Sequence, residues 1–253
     1  MDLSRLKAAW RIIMKIVEKF KAKAADNMNN QAVTIAFLGD SVTQGCFEIY
    51  LKRDNNIETV FDKNNAYHKH FEKILSVLYP SVPVNIINAG ISGDSAPHGY
   101  ERLDRDVLSC NPDLVVVCFG LNDCGQNIKG LVNYTDALEK IFAKLLSEGK
   151  EVIFLTPNML NTTISPHIRD EVSEQIAIGT QKTQLDGVMD AYMEAAKEVC
   201  GKYNIPVCDC YNKWKRLYES GVDTTELLAN RINHPTREMN WMFAYSLVET
   251  MFS

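Results

Sequence analysis

The chain has 253 residues, 46% of them hydrophobic, and a formal net charge of −5. That length can bury a large core as one domain without covalent staples. The acidic balance, with lysine and arginine scattered, has the wrong sign for binding a nucleic-acid backbone.

Taken in chain order, Leu3, Leu6, Trp10, Ile13, Val17 and Phe20 alternate spacings of three and four. They predict an amphipathic helix within residues 1–30, followed by one main domain over 31–253. Such a seam packs on its own domain or, as the second use, forms a homodimer contact. Arg5, Lys7, Arg11, Lys15 and Glu18 interrupt the apolar stretch. Neither a signal peptide nor a membrane span of about 20 apolar residues is therefore expected. Seven cysteines (Cys46, Cys110, Cys118, Cys124, Cys200, Cys208 and Cys210) make an odd set with no Cys-x-x-Cys pair. Reduced thiols and a cytoplasmic location are the expectation.

Short β-rich apolar runs follow at 33–38, 84–89, 114–120, 151–156 and 205–209. Several are apolar at consecutive positions, as in strands covered on both faces. Helical patterns fall at about 65–79, 99–109, 131–148, 183–201 and 236–252. Strands alternating with helices predict a parallel sheet between two helical layers. The connections 46–64 and 157–182 are long and are expected to wall a binding site.

In an open parallel sheet, ligands sit beyond the carboxyl ends of the strands. Gly-Asp-Ser occurs at two such ends, in "FLGDSVTQG" with Ser41 and in "NAGISGDS" with Ser95. Ser41 at a strand-to-helix junction offers a hydroxyl and a backbone N–H. Gly93 offers an N–H without a Cβ, and Asn122 in "FGLND" offers a side-chain amide. A nucleophile and three donors for a developing oxyanion are what acyl transfer needs. Ser95 is followed by His98, but three residues in one turn rarely aim an imidazole at the hydroxyl, so Ser95 reads as a loop or cap serine. His68 and His70 diverge on a helix and do not make a metal pair, and His98 and His167 read as surface residues. His234, followed by Pro235 just before the last helical pattern, can reach back across the strand ends as a general base.

These four blocks, in order over roughly 200 residues, resemble the SGNH hydrolases, also called the GDSL esterase/lipase family. The resemblance implies a flavodoxin-like three-layer α/β/α sandwich with strand order 2-1-3-4-5. It also implies hydrolysis of an ester or thioester through an acyl-enzyme, with no metal and no cofactor. Carried over by motif, Ser41 is the nucleophile and His234 the base. Ser41, Gly93 and Asn122 form the oxyanion hole. One departure stands out: the family places aspartate three residues before the histidine, and here that residue is Arg231. Candidates for a third triad member are Asn230, Asp223 and Glu226; otherwise a backbone carbonyl orients the ring of a Ser–His dyad.

The expected function is hydrolysis of a carboxylic ester, with a small acyl group such as acetyl leaving a carbohydrate or another polar alcohol. The expected partner is therefore a small-molecule or oligosaccharide ester. The charged and amide-rich stretches 46–65 and 158–171 favour that substrate. The alternatives are a lipase or acyl-thioesterase for longer chains, and a non-hydrolytic binding module on the same fold. Cys124, two residues past Asn122, is expected to be a buried thiol. A nucleotide site ranks below these, since neither Gly-x-x-x-x-Gly-Lys-Ser/Thr nor Gly-x-Gly-x-x-Gly is present.

Overall fold

The computed structural model describes residues 14–52 and 56–253. Leu3, Leu6, Trp10 and Ile13 of the predicted seam lie outside the described residues. Five strands form the central sheet: β1 (Val33–Gly39), β4 (Val84–Gly90), β5 (Leu114–Cys118), β6 (Glu151–Leu155) and β7 (Val207–Cys208), in the order β4-β1-β5-β6-β7. Every pairing in it is parallel. Counting the sheet strands alone, the order is 2-1-3-4-5. The fifth predicted strand shrinks to two residues at the sheet edge. The other two strands, β2 (Cys46–Leu51) and β3 (Ile57–Phe61), form a separate antiparallel hairpin.

The helical elements are α1 (Lys15–Ala25), α2 (Ser41–Gln44), α3 (Tyr67–Leu78), α4 (Ala96–Glu101), α5 (Leu103–Asp106), α6 (Leu131–Ser147), α7 (Glu171–Leu185), α8 (Val188–Tyr203), α9 (Cys210–Glu219) and α10 (Asn240–Met251). Strand register assigns them to layers. Phe37 is aligned with Val116, and Val116 with Ile153, so Phe37 and Phe154 point to opposite faces of the sheet. Phe37 packs against Tyr67 and Phe71 of α3, and Phe154 packs against Phe142 of α6. Helix α3 lies against α10 on the first face, and α6 lies against α4 and α8 on the second. One continuous apolar core joins both layers to the sheet.

Helix α1 caps the first layer. Val17 and Phe20 of the predicted seam are buried, and the Phe20 ring stacks on Tyr79 at 4.6 Å. The Glu151 carboxylate accepts the N–H groups of Lys15 and Ile16, two of the free donors at the start of this helix. No helix among the described residues is long and apolar enough to cross a membrane.

Four sequence expectations change. The connection 46–64 is the β2–β3 hairpin, closed by the Lys52 N–H on the Asn56 carbonyl at 2.8 Å. The second part of the connection 157–182, from Glu171 on, is α7, capped by Asp170, whose side chain accepts the Ser173 N–H. The pattern at 183–201 is two helices, α7 and α8, parted by Gly187. The pattern at 99–109 breaks into α4, α5 and a 3-10 turn.

Candidate active site

At the carboxyl end of β1 the chain turns into the single-turn helix α2. Asp40 is its N-cap and accepts the Val42 N–H at 3.0 Å, which leaves Ser41 as the first helical residue. A backbone N–H at that position has no partner within the helix. The turn is wedged against β4: a Cβ on Gly90 would lie 2.2 Å from the Gln44 nitrogen. Asp40 is buried, and burial first, then the nearby charges of Asp123 and Asp94, push its carboxyl up to about 7.

His234 lies in the segment between the 3-10 turn Thr224–Leu227 and α10. Its Nε2 is 2.9 Å from Ser41 Oγ, and its Nδ1 is 2.9 Å from the carbonyl oxygen of Phe47 in β2. A carbonyl only accepts, so Nδ1 carries the proton and Nε2 is left to accept from the serine hydroxyl. The Cys46 sulfur lies 3.6 Å from Nδ1. Burial pushes that thiol up to about 12, so it stays protonated and is no rival nucleophile. Burial also lowers His234 to about 4, against smaller opposite pulls from the Phe47 carbonyl and the Glu48 charge.

The three candidates for a third triad member do not meet the ring. Asn230 Oδ1 accepts the backbone N–H groups of Ile232, Asn233 and His234, so it shapes the turn and leaves the imidazole alone. Asp223 accepts from the Thr225 N–H and the Thr163 hydroxyl. Glu226 pairs with Arg231 at 3.0 Å. Arg231, at φ +60°, thus turns its charge to Glu226. The partners of Nδ1 are the Phe47 carbonyl and the Cys46 sulfur.

Gly93 and Asn122 come from the ends of β4 and β5. Asn122 Nδ2 donates to the carbonyl of Asp94, the neighbour of Gly93, at 2.8 Å. Gly93 is exposed at φ +78°, a left-handed conformation that glycine adopts without strain, with open space where a Cβ would sit. The Ile91 N–H donates to the Gly39 carbonyl at 3.1 Å, tying this loop to the end of β1. Arg102 completes the stitching from beneath. Its buried guanidinium donates to the Gly39 and Ala89 carbonyls and to the Asp94 carboxylate. The three strand ends that carry Ser41, Gly93 and Asn122 are thereby fixed to one another.

Other sequence candidates fall elsewhere. Ser95 holds the N-cap position of α4 without a side-chain cap bond, and His98 is exposed, 3.6 Å from Asp94. His70 stacks on Trp241 at 4.0 Å, while His68 packs against Phe37 and Tyr67. His167 is exposed. Cys124 is buried and donates to the Leu121 carbonyl. The hairpin is less polar than its composition suggests: Tyr50, Ile57 and Phe61 are exposed on it. Sequence reasoning missed Phe47, Arg102 and Arg237, which pairs with Glu48 and Asp62. A backbone carbonyl leaves no side-chain signature, and the two arginines carry no motif.

Relatives agree with this arrangement at the level of fold. An acetylxylan esterase of Geobacillus stearothermophilus is 22% identical over 179 residues, covering 67% of this chain and 72% of the relative. The crystal structure of an acetylxylan esterase from that organism superposes with a TM-score of 0.63 at 18% identity, covering 87% of this chain and 94% of the other. A two-domain esterase active on acetylated mannans gives 0.62 at 18% identity, over 93% of this chain and 52% of that one. Residues 37–242 match the GDSL-like lipase/acylhydrolase family, a span that runs from β1 into α10 and contains every strand end described above. The chain belongs to the GDSL-like lipase/acylhydrolase family and is a hydrolase of carboxylic esters.

Proposed function

We propose that this enzyme removes small acyl groups, acetyl foremost, from a carbohydrate or another polar alcohol, through an acyl-enzyme on Ser41. The observation that carries the reading is the relay from Ser41 Oγ to His234 Nε2, and from Nδ1 to the Phe47 carbonyl, each at 2.9 Å. His234 takes the hydroxyl proton as Oγ attacks the acyl carbon. The Ser41 and Gly93 N–H groups and the Asn122 amide receive the oxyanion. Asn122 has a second N–H on Nδ2 for this task beyond the one given to Asp94. The protonated imidazole then releases the alcohol, and water activated by the same ring releases the acid.

The missing carboxylate is tolerable because the ring is neutral at rest and its orientation is already set by Phe47. The acetyl preference draws on relatives that act on acetylated xylan and mannan and on the charged residues of the hairpin. Exposed Tyr50, Ile57 and Phe61 favour a second reading, longer acyl chains laid along the hairpin. A series of aryl esters from acetyl to octanoyl, together with acetylated oligosaccharides, separates the two. The first reading expects kcat/KM to be highest for acetyl and turnover on the oligosaccharides. A steady rise to eight carbons would defeat it.

A further inference from the structure

Arg237 follows His234 by three residues and reaches across to the hairpin. Its Nη1 and Nη2 take both oxygens of Glu48, at 2.7 and 3.2 Å, and its Nε takes Asp62 Oδ2 at 2.8 Å. The guanidinium also lies 4.4 Å from the centre of the Phe47 ring. Glu48 sits in β2 directly after Phe47, and Asp62 directly follows β3. One side chain on the histidine's own segment therefore grips both strands of the hairpin and stacks on the residue whose carbonyl receives Nδ1–H. The planar five-donor fork of arginine suits this: two donors meet a carboxylate side by side while a third turns to another.

The hairpin needs such a hold. Its two strands pair with no strand of the main sheet among the described residues, and a lone two-stranded hairpin is marginal in water. An acid three residues before the histidine would be placed by the local turn. The Phe47 carbonyl instead lies 187 residues away in sequence, so its position depends on tertiary contacts.

We infer that Arg237 is a positioning residue for His234, holding the β2–β3 hairpin so that the Phe47 carbonyl stays on Nδ1. This rests on the proposed Ser41–His234 chemistry. It supplies by tertiary contact the orientation that a carboxylate at position 231 would supply locally.

The test compares the whole chain with Arg237→Gln, Arg237→Lys, Glu48→Gln and Asp62→Asn. It uses kcat and KM on 4-nitrophenyl acetate and the imidazole 15N signals of His234. In the wild type, Nδ1 should be pyrrole-like and Nε2 pyridine-like, the signature of one fixed tautomer. Arg237→Gln should lower kcat by about 10- to 100-fold, the scale of a small misplacement of a reacting group. KM should change by less than about threefold, because no ground-state contact to substrate is removed. The 15N signals should move toward a mixture of tautomers, and Arg237→Lys should recover part of both effects.

A folded Arg237→Gln protein with kcat within about twofold of wild type, by the same rate comparison, and with the wild-type 15N pattern would overturn the inference. So would a fall in kcat with an unchanged 15N pattern, since the ring would not have moved. If Arg237→Gln does not fold, Glu48→Gln and Asp62→Asn each remove one leg of the grip, and wild-type kcat and 15N signals in both would overturn it. Mixed tautomers with undiminished turnover would uphold the positioning role and count instead against His234 as the base, which keeps the two claims separable.

Discussion

His234 is the residue on which the proposed chemistry turns, and its burial makes a pH prediction. A free imidazole titrates near 6.5; here burial lowers the ring to about 4, outweighing the Phe47 carbonyl and the Glu48 charge, and among the described residues no carboxylate hydrogen-bonds to it. The base must be neutral to accept the serine proton, so activity is lost as pH falls through the folded-state value. The acid limb of kcat/KM should therefore lie below about 6.5, with activity level from pH 7 down past that value. A pH profile on an aryl acetate checks this, and a limb above pH 7 would mean that a carboxylate reaches the ring after all. Asn122→Ala should lower kcat by about 10²- to 10³-fold with KM little changed, as for loss of one oxyanion donor. A loss confined to KM would make Asn122 a substrate-binding residue instead. Ser41, Gly93, Asn122 and His234 were legible as candidates in the sequence because each sits in a short motif at a strand end or before a helix. Phe47 and Arg237 were not, because the contact between β2 and the His234 segment joins residues nearly 190 positions apart and uses a backbone atom.

At the scale of elements, the close seat of α2 on β4 sets where Ser41 can lie. Gly90→Ala would drive a Cβ to 2.2 Å from the Gln44 backbone nitrogen, and neither strand nor turn can yield without moving Ser41. The change should cost about 3 kcal/mol, the upper end for overpacking a close contact, and lower kcat as well. Gly149→Ala is the control. It carries a positive φ of +70° but has nothing within 4 Å, so it should cost only about 1–2 kcal/mol and leave kcat alone. Thermal unfolding with parallel kinetics distinguishes them; equal effects would remove the steric argument. The five sheet strands and most of the large helices were readable from apolar runs and helical spacing. The hairpin was hidden because charged and amide residues run through 46–65. Helix α7 was hidden because Val172, Ile176 and Leu185 are exposed while Ala177 and Gln184 are buried, which leaves no apolar stripe to read.

For the whole molecule, the 2-1-3-4-5 sheet brings β4 and β5 to either side of β1. That is why blocks near residues 41, 93 and 122 come together in one candidate site at the strand ends. His234 completes it from the segment before α10, after the chain has crossed the sheet. The strand order followed from the family resemblance rather than from periodicity, which identifies strands but not their neighbours. The β2–β3 hairpin beside His234 mixes charged and exposed apolar side chains, and composition could not arrange these in space. The most direct measurement of the central claim is peptide mapping after stoichiometric reaction with a fluorophosphonate, which phosphonylates an activated serine irreversibly. The account predicts modification at Ser41 alone, in proportion to lost esterase activity, and none in His234→Ala. Modification at Ser95, or full inactivation with Ser41 untouched, would contradict it.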